Sequence, residues 1–144
     1  MLMTAENKPR VAVLLVQKEV AERIAAEPGE MSMLALSAQV YAEASLGIEV
    51  PKEFFTPPPK VDSQVVVLET RQQPLVSPTA QKAFFKIARA GFGEKRKKLR
   101  SSLAGGLHVD KAHIDTILDI FVISSESRAQ ELSIEQWKEL IAAL

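Results

Sequence analysis

The sequence predicts an α/β protein in which an incomplete sheet precedes a small all-α C-terminal region. Two valine-rich runs, at residues 10–17 and 61–69, have the apolar character of buried strands, and helical patterns separate them. Beyond Pro74, apolar residues recur only at helical spacing. So few strands cannot close an α/β architecture, and we therefore expect a partial sheet.

The first half of the chain is expected to alternate strands and helices. The run R-V-A-V-L-L-V-Q predicts a strand buried on both faces, which is typical of parallel sheets. Residues 18–26 predict a helix that stops at Pro28-Gly29, and residues 31–40 predict a second helix. The second half of the segment 41–50 predicts a strand that ends at Pro51.

The second half of the chain is expected to be helical, and the boundary near Pro74 divides the sequence into regions 1–73 and 74–144. The predicted helices lie at residues 79–90, 95–104, 110–121 and from Ser133 onward. Glycines at 91–93 and 105–106 are expected to end the first and second of these helices. Ser133 and Gln136 have the spacing of a capping box.

Net charge is zero, but the basic residues concentrate in one segment. Residues 77–107 hold eight lysines and arginines and a single acid, Glu94. Leu99 and Leu103 lie four residues apart, so an apolar face could dock while the cations of K-R-K-K-L-R face outward. Such a face suits phosphate contacts. A solvated helix face is the alternative that composition leaves open.

The amino-acid composition argues against several classes of function. The chain has no cysteine, which excludes disulfides, thiolate zinc sites and cysteine nucleophiles and accords with a reducing cytoplasm. Two histidines, His108 and His113, are too few for a histidine metal cluster. No run approaches the length of a membrane span, and the opening residues do not resemble a signal peptide. Glycine motifs for nucleotide phosphates are also missing. We therefore expect neither a metal nor a membrane partner.

The stretch F-F-T-P-P-P-K at residues 54–60 predicts a stiff connector. Its three prolines fix φ and remove three backbone donors, so the stretch is expected to be extended and polyproline-like. The two phenylalanines could pack as core, or an aromatic could stand rigidly at the sheet edge and face a planar ligand. The residues alone leave both interpretations open.

Four segments, in chain order, are together similar to one enzyme family. They are R-V-A-V-L-L-V-Q-K-E-V-A-E-R-I, V-P-K-E-F-F-T-P-P-P-K-V-D-S-Q-V-V, A-R-A-G-F-G-E-K-R-K-K-L-R-S-S-L and S-R-A-Q-E-L-S-I-E-Q-W-K-E-L. These segments resemble the ribosomal RNA adenine dimethyltransferases, which dimethylate two adjacent adenosines near the 3′ end of small-subunit rRNA. The resemblance covers essentially the whole chain.

This resemblance implies a Rossmann-type methyltransferase domain that binds S-adenosylmethionine, followed by a small helical domain that docks on the rRNA of the small ribosomal subunit. Residues 1–73 would be the C-terminal half of the first domain, and residues 74–144 the second. Phe55 matches the family's aromatic beside the target adenine, a base that is drawn out of its helix. The family's rRNA-contacting basic segment matches Lys95, Arg96, Lys97, Lys98 and Arg100.

The chain also departs from the family's pattern. The family's glycine-rich cofactor loop, acidic ribose ligand and Asn-x-Pro-aromatic motif precede the R-V-A-V-L-L-V-Q segment, and none occurs in these residues. Asn7, in N-K-P-R, lacks the aromatic. We therefore expect no catalytic residue, no S-adenosylmethionine binding and no methyl transfer from this chain alone. The alternative function is that of a non-catalytic ribosome-binding fragment or truncated paralogue.

The first predicted strand raises one further expectation. Its residues are apolar on both faces, yet the family's preceding strands are missing from the sequence. An uncovered strand edge invites association with another chain. We therefore expect self-association through this edge.

Overall fold

The computed structural model describes residues 7–144, which form two compact units. Unit 1 comprises residues 7–26 and 34–74, and unit 2 comprises residues 27–33 and 75–144. Residues 27–33 belong to unit 2 because the backbone N–H groups of Gly29 and Met31 both donate to the carbonyl of Gln130. The assignment of the two regions to a catalytic half and an rRNA-docking domain stays a prediction.

Unit 1 contains a three-stranded sheet in the order β1–β3–β2. The strands are β1 (Val11–Gln17), β2 (Ala42–Val50) and β3 (Ser63–Thr70). Because β3 is antiparallel to both neighbours, β1 and β2 run in the same direction. Their carboxyl ends therefore lie at one edge of the sheet, where α/β proteins usually place ligands.

Two helices accompany this sheet, α1 (Lys18–Ile24) and α2 (Met33–Gln39). Alternation along each strand places Ala12, Val66 and Leu68 on one face, and these side chains are buried. Ala21 of α1 is buried as well. This face of the sheet is therefore the core of unit 1, and both predicted helices are confirmed.

The prediction that β1 is buried on both faces is wrong. Val11 and Leu15 are each 51% exposed and Val13 is 64% exposed, whereas Ala12 on the opposite face is buried. β1 pairs antiparallel with β3, not in a parallel ladder, and within the described sheet it forms an edge. The local pattern predicts a strand correctly, but burial depends on what covers each face.

Unit 2 is built from four helices around an apolar core. They are α3 (Gln81–Phe92), α4 (Leu99–Leu107), α5 (Lys111–Ile120) and α6 (Ile134–Ala143). The ring of Trp137 is fully buried and stacks on Phe92 with ring centroids 5.1 Å apart. Its indole N–H donates to the carbonyl of Ala129 at 3.2 Å. Such satisfaction of a buried polar group allows tryptophan to anchor a core.

The predicted glycine stop of α4 is wrong, since this helix continues through Gly105 and Gly106, whereas α3 ends at Phe92 with Gly93 as its C-cap, within the predicted G-F-G segment. A Cβ on Gly91 would collide with the ring of Trp137. One on Gly106 would lie 2.6 Å from the Cβ of Ala90. These glycines permit close packing, and α4 instead ends at His108, which has φ 58°. By contrast, the predicted capping box of Ser133 and Gln136 is confirmed.

Helix α5 ends in an unusual residue. The N–H of Ile123 donates to the carbonyl of Leu118 at 2.9 Å, which requires a left-handed residue between them. That residue is Val122, with φ 55° and 90% exposure. A β-branched residue rarely adopts this conformation, because its Cβ approaches the backbone.

Candidate nucleic-acid interface

The shared edge at the carboxyl ends of β1 and β2 carries the connector between β2 and β3, residues 51–62. Lys18 and Glu49 form an ion pair of 2.8 Å at this edge. The hydrogen bond that Lys18 donates to Glu49 raises the pKa of the Lys18 ammonium. Both side chains are solvated, so this pair fixes the local geometry more than it stabilises the unit.

Asp62 holds the two ends of this edge together. Its Oδ1 accepts from the backbone N–H of Lys52 at 2.9 Å, at the start of the connector. Its carbonyl accepts from the N–H of Lys18 at 3.0 Å, at the start of α1. One residue thus fixes the connector relative to both parallel strands, and the sequence reading missed this role.

The prediction of a continuously extended connector is wrong. Lys52–Phe54 form a 3-10 turn, in which the N–H of Phe54 donates to the carbonyl of Pro51. The chain then bends at residues 55–57, where the Thr56–Pro57 peptide is cis. Pro51 supplies the carbonyl that starts this turn, an effect that proline counting alone does not reveal.

The two phenylalanines of the connector differ in environment. Phe54 is 79% exposed, whereas Phe55 is half-buried. Phe54 therefore does not pack as core, and it is an aromatic surface that the sequence reading did not single out. The role of Phe55 beside a target base stays a prediction.

A second exposed segment lies in unit 2, between α3 and α4. We call residues 93–98 the basic loop. The prediction of a helix from Lys95 is wrong, because α4 begins only at Leu99 and residues 95 and 96 form a turn. The N–H of Leu99 donates to the carbonyl of Ser127 at 2.8 Å, which anchors the end of the loop.

The five predicted phosphate-binding cations are brought together on this loop and the first turn of α4, but they differ in their partners. Lys97 pairs with Glu94 at 2.6 Å, and Lys98 pairs with Glu126. Arg100 donates to Asp115 at 3.2 Å. Within residues 7–144, no ion pair involves Lys95 or Arg96. Both of these side chains line a surface cleft of about 480 Å³ with Glu94 and Lys97.

Local electrostatics distinguishes the paired cations further. The hydrogen bond from Lys98 lowers the pKa of Glu126, so this carboxylate stays ionised beside the loop. At the other pair, the Arg100 Nε and the Asp115 Oδ1 are buried without a hydrogen-bond partner among the described residues. Arg100 is therefore partly committed to the α4–α5 contact.

Other candidate sites have less support. A cleft of about 400 Å³ at the opposite end of the sheet includes Lys8 and Arg71. Lys8 donates to the carbonyls of Arg71 and Gln72, and Arg71 pairs with Glu43, so these cations are occupied. The described residues contain no cluster of metal-ligating side chains. No helix in the described part of the chain has the length and apolarity to cross a membrane.

Comparison with known proteins gives consistent results. The family model described as "Ribosomal RNA adenine dimethylase" matches residues 1–144. The "Ribosomal RNA small subunit methyltransferase A" of Dehalococcoides mccartyi is 43% identical over 138 residues, which are 96% of this chain and 47% of that protein. The chain thus spans about half the length of the curated relatives it matches.

Two crystal structures resemble the chain in three dimensions. The 23S rRNA methyltransferase ErmE has a TM-score of 0.76 at 22% identity, covering 99% of this chain and 57% of that one. A dimethyladenosine transferase from Plasmodium falciparum has a TM-score of 0.76 at 23% identity, covering 96% of this chain and 59% of that one. At such identities the likeness concerns the fold, and it confirms the predicted partial Rossmann-type sheet followed by helices.

Proposed function

Because the chain belongs to the ribosomal RNA adenine dimethylase family, we propose that it is the rRNA-binding and base-holding part of an enzyme that dimethylates adenosines of small-subunit rRNA. The observation that carries this proposal is the basic loop. Its four cations, Lys95 to Lys98, are exposed, Arg100 follows in the first turn of α4, and the bond between Leu99 and Ser127 anchors the end of the loop. Cations held on a fixed surface supply affinity for phosphates that is independent of sequence.

The connector at the sheet edge supports the second part of the proposal. Chemistry on an adenine inside a helix requires that the base leave the stack and be held by stacking and edge contacts. Phe55 is half-buried on a connector fixed by Asp62, and it follows the carboxyl end of β2. We infer that Phe55 stacks on the extruded base, with the exposed Phe54 ring available to a neighbouring nucleotide.

We infer that the described residues do not hold S-adenosylmethionine. β1 runs directly into α1 at Gln17–Lys18, with no glycine-rich turn between strand and helix. Such a turn is what lets a backbone approach a dinucleotide-type cofactor. We therefore assign no residue here to the cofactor and no step of methyl transfer. The whole enzyme is expected to use it, whereas the 144 residues alone are expected neither to bind it nor to transfer methyl groups.

Binding to small ribosomal subunits that carry unmethylated rRNA tests the proposal. The 144-residue chain should bind, and affinity should fall steeply with salt. Replacing Lys95, Arg96, Lys97, Lys98 and Arg100 by glutamine should abolish most of this binding and flatten the salt dependence. The matched control replaces Lys82 and Lys86, two exposed cations of α3, by glutamine. Unchanged binding by the five-residue variant would contradict the proposal.

A non-catalytic rRNA-binding role is the second candidate, favoured by the exposed basic loop and by the direct passage from β1 to α1 in the described residues. A methyl-transfer assay with labelled S-adenosylmethionine separates the two. Salt-dependent binding without transfer is expected for the chain by itself. Transfer that appears when the chain is joined to the N-terminal half of a curated relative would favour the enzymatic role, and Phe55→Ala should then reduce it without unfolding the protein.

We also infer that the chain associates with itself through β1. Val11, Val13 and Leu15 form an exposed apolar row on one face of an edge strand. Exposed edges with apolar rows favour pairing between chains. Light scattering should show dimers or larger species that diminish in Val13→Lys, and a stable monomer at all concentrations would contradict this inference.

A further inference from the structure

The cations of the basic loop fall into two groups, and we propose that they do different work. Lys95 and Arg96 contact the phosphates of the RNA, whereas Lys98 is a positioning residue that acts through Glu126. This inference rests on the proposed rRNA binding of the same loop. It goes further by separating the residues that touch RNA from the residue that shapes the loop.

Backbone and side-chain bonds fix the shape of the loop around Lys95 and Arg96. The N–H of Lys97 donates to the carbonyl of Glu94 at 2.9 Å, which closes a four-residue turn. Lys95 and Arg96 occupy its two central positions, and their side chains are exposed. Unlike Lys97, Lys98 and Arg100, these two exposed cations form no ion pair with the described residues.

Lys98 lies at a structurally different place, the N-cap of α4. Its carbonyl accepts from the N–H groups of Ser101 at 3.0 Å and Ser102 at 3.1 Å. A cation at this end of a helix is opposed by the helix dipole, so Lys98 gains from a nearby carboxylate. Glu126 supplies it, and the adjacent Ser127 accepts from the N–H of Leu99. The Lys98–Glu126 pair and the Leu99–Ser127 bond together join the loop to the turn after α5.

Contact of Lys98 with a phosphate would weaken this arrangement. Moving the ammonium away would leave an ionised Glu126 facing the RNA, and like charges at an interface are costly. Lys95 and Arg96 have no such opposing partner within residues 7–144. A lysine beside an arginine can hold one phosphodiester through a point charge and a bidentate fork. The cleft of about 480 Å³ at this turn has room for such a group.

Salt dependence distinguishes the two roles. Each cation that neutralises a phosphate contributes about 0.7–0.9 to the slope of log affinity against log salt. The Lys95→Gln/Arg96→Gln variant should therefore lose about 1.4–1.8 of this slope. A residue that only shapes the loop changes affinity through the geometry of other groups. When a variant has the same net charge as the parent, the slope of log affinity against log salt is therefore expected to stay unchanged.

The decisive experiment is a charge swap in the 144-residue chain, assayed by binding to unmethylated small-subunit rRNA over a salt series. Lys98→Glu should weaken binding by about tenfold, because two carboxylates then face each other. The double variant Lys98→Glu/Glu126→Lys should recover affinity to within about twofold of the parent, since the pair is restored. Circular dichroism and thermal melting check that each variant is folded.

The variant Glu126→Gln tests the role of Lys98 independently. Glu126→Gln removes an acid near the RNA and frees Lys98, so a phosphate-contacting Lys98 would bind more tightly and steepen the slope. A positioning Lys98 gives no gain in affinity and no steeper slope.

Several outcomes would overturn the inference. They are a swap variant as weak as Lys98→Glu alone, a steeper slope for Glu126→Gln, or an unchanged slope for Lys95→Gln/Arg96→Gln. If the five-glutamine variant loses binding but Lys95→Gln/Arg96→Gln keeps the parent's slope, this inference fails and the proposed function stands. If the unaltered chain does not bind the rRNA, the proposed function fails with it.

Discussion

The two units of the chain bury their apolar residues to different extents. In unit 2, the rings of Phe84 and Trp137 are almost completely inaccessible and the helices are in close contact through glycines. In unit 1, one sheet face is a core, while the other face of β1 carries valines that are half or more exposed. Similar apolar patterns thus lead to a closed core in one unit and an open surface in the other.

Hydrophobic periodicity therefore predicts the type of an element more reliably than the burial of its residues. The helices of unit 2 pack on each other and supply their own cover. A strand depends on other elements to cover its faces and pair with its edges, and an antiparallel strand can leave one face in solvent. β1 has one pairing partner among the described residues. The following predictions test whether the contrast in burial is also a contrast in stability.

The largest effect is expected from removing the centre of the unit 2 core. Trp137→Ala should lower the free energy of unfolding by about 3–5 kcal/mol. The change leaves a cavity beside Phe92 and removes the indole N–H that donates to the carbonyl of Ala129. Urea unfolding followed by circular dichroism measures this loss. A loss below about 1 kcal/mol would mean that the core of unit 2 tolerates cavities and that the contrast with unit 1 is overstated.

Close helix packing in unit 2 is tested by its glycines. Gly91→Ala places a methyl group against the Trp137 ring and should cost about 1–3 kcal/mol. Gly105→Ala is the matched control, because a Cβ there meets no atom within 4 Å. The control should be neutral or stabilising by up to about 1 kcal/mol, as alanine favours helices. Equal effects of both changes in thermal melting would argue against the packing role of Gly91.

The two faces of the unit 1 sheet can be compared with one substitution. Val66→Thr puts a hydroxyl into the buried face and should cost about 1–3 kcal/mol, whereas Val13→Thr on the exposed face should change stability by less than about 0.5 kcal/mol. Urea unfolding of both variants supplies the comparison. If Val13→Thr costs as much as Val66→Thr, the exposed face is covered in solution.

Replacement of one exposed valine in unit 2 should stabilise the protein, in contrast to the changes above. Val122→Gly removes a β-branched residue from a left-handed position and should raise the free energy of unfolding by about 0.5–1 kcal/mol. Thermal melting detects the gain, and Ile120→Gly, an exposed position inside α5, is the control that should destabilise. Destabilisation by Val122→Gly would indicate that this side chain has a packing partner.

The smallest effects concern one surface ion pair in each unit, in which one member has a shifted pKa. The raised pKa of Lys18 means that its pair contributes fully below 10.5 and is lost as pH rises through the folded-state pKa. The lowered pKa of Glu126 means that its pair contributes above 4.5 and is lost as pH falls through the folded-state pKa. Double-mutant cycles of Lys18–Glu49 at neutral and alkaline pH, and of Lys98–Glu126 at neutral and acidic pH, check these windows; a coupling that stays at its neutral value at the alkaline or the acidic extreme, respectively, would contradict them.

Much of the fold was predictable because it depends on local signals. The cap at Ser133 and the apolar faces of α3, α5 and α6 follow from short-range spacing. The error at Gly106 arises from its contact with Ala90 of α3, which is distant in sequence. No local pattern reveals that a glycine makes room for another element.

The candidate site divides in the same way. The sequence predicts where cations and aromatics concentrate, because composition is local. It does not predict that Lys98 and Arg100 pair with acids beyond their own helix turn, nor that Asp62 fixes the connector. These pairings depend on the tertiary fold, and they decide which cations remain accessible.

The segment at residues 27–33 has a consequence for modularity. Unit 2 is not one continuous stretch of chain, since Met31 is buried and Gly29 and Met31 bind Gln130 from a segment that interrupts unit 1. A polypeptide that starts at Leu75 would therefore lack part of the helical unit, including a buried methionine. Recombination or gene fusion at a single crossover could not transfer this unit intact, and an exchange between relatives would have to carry two separate pieces together.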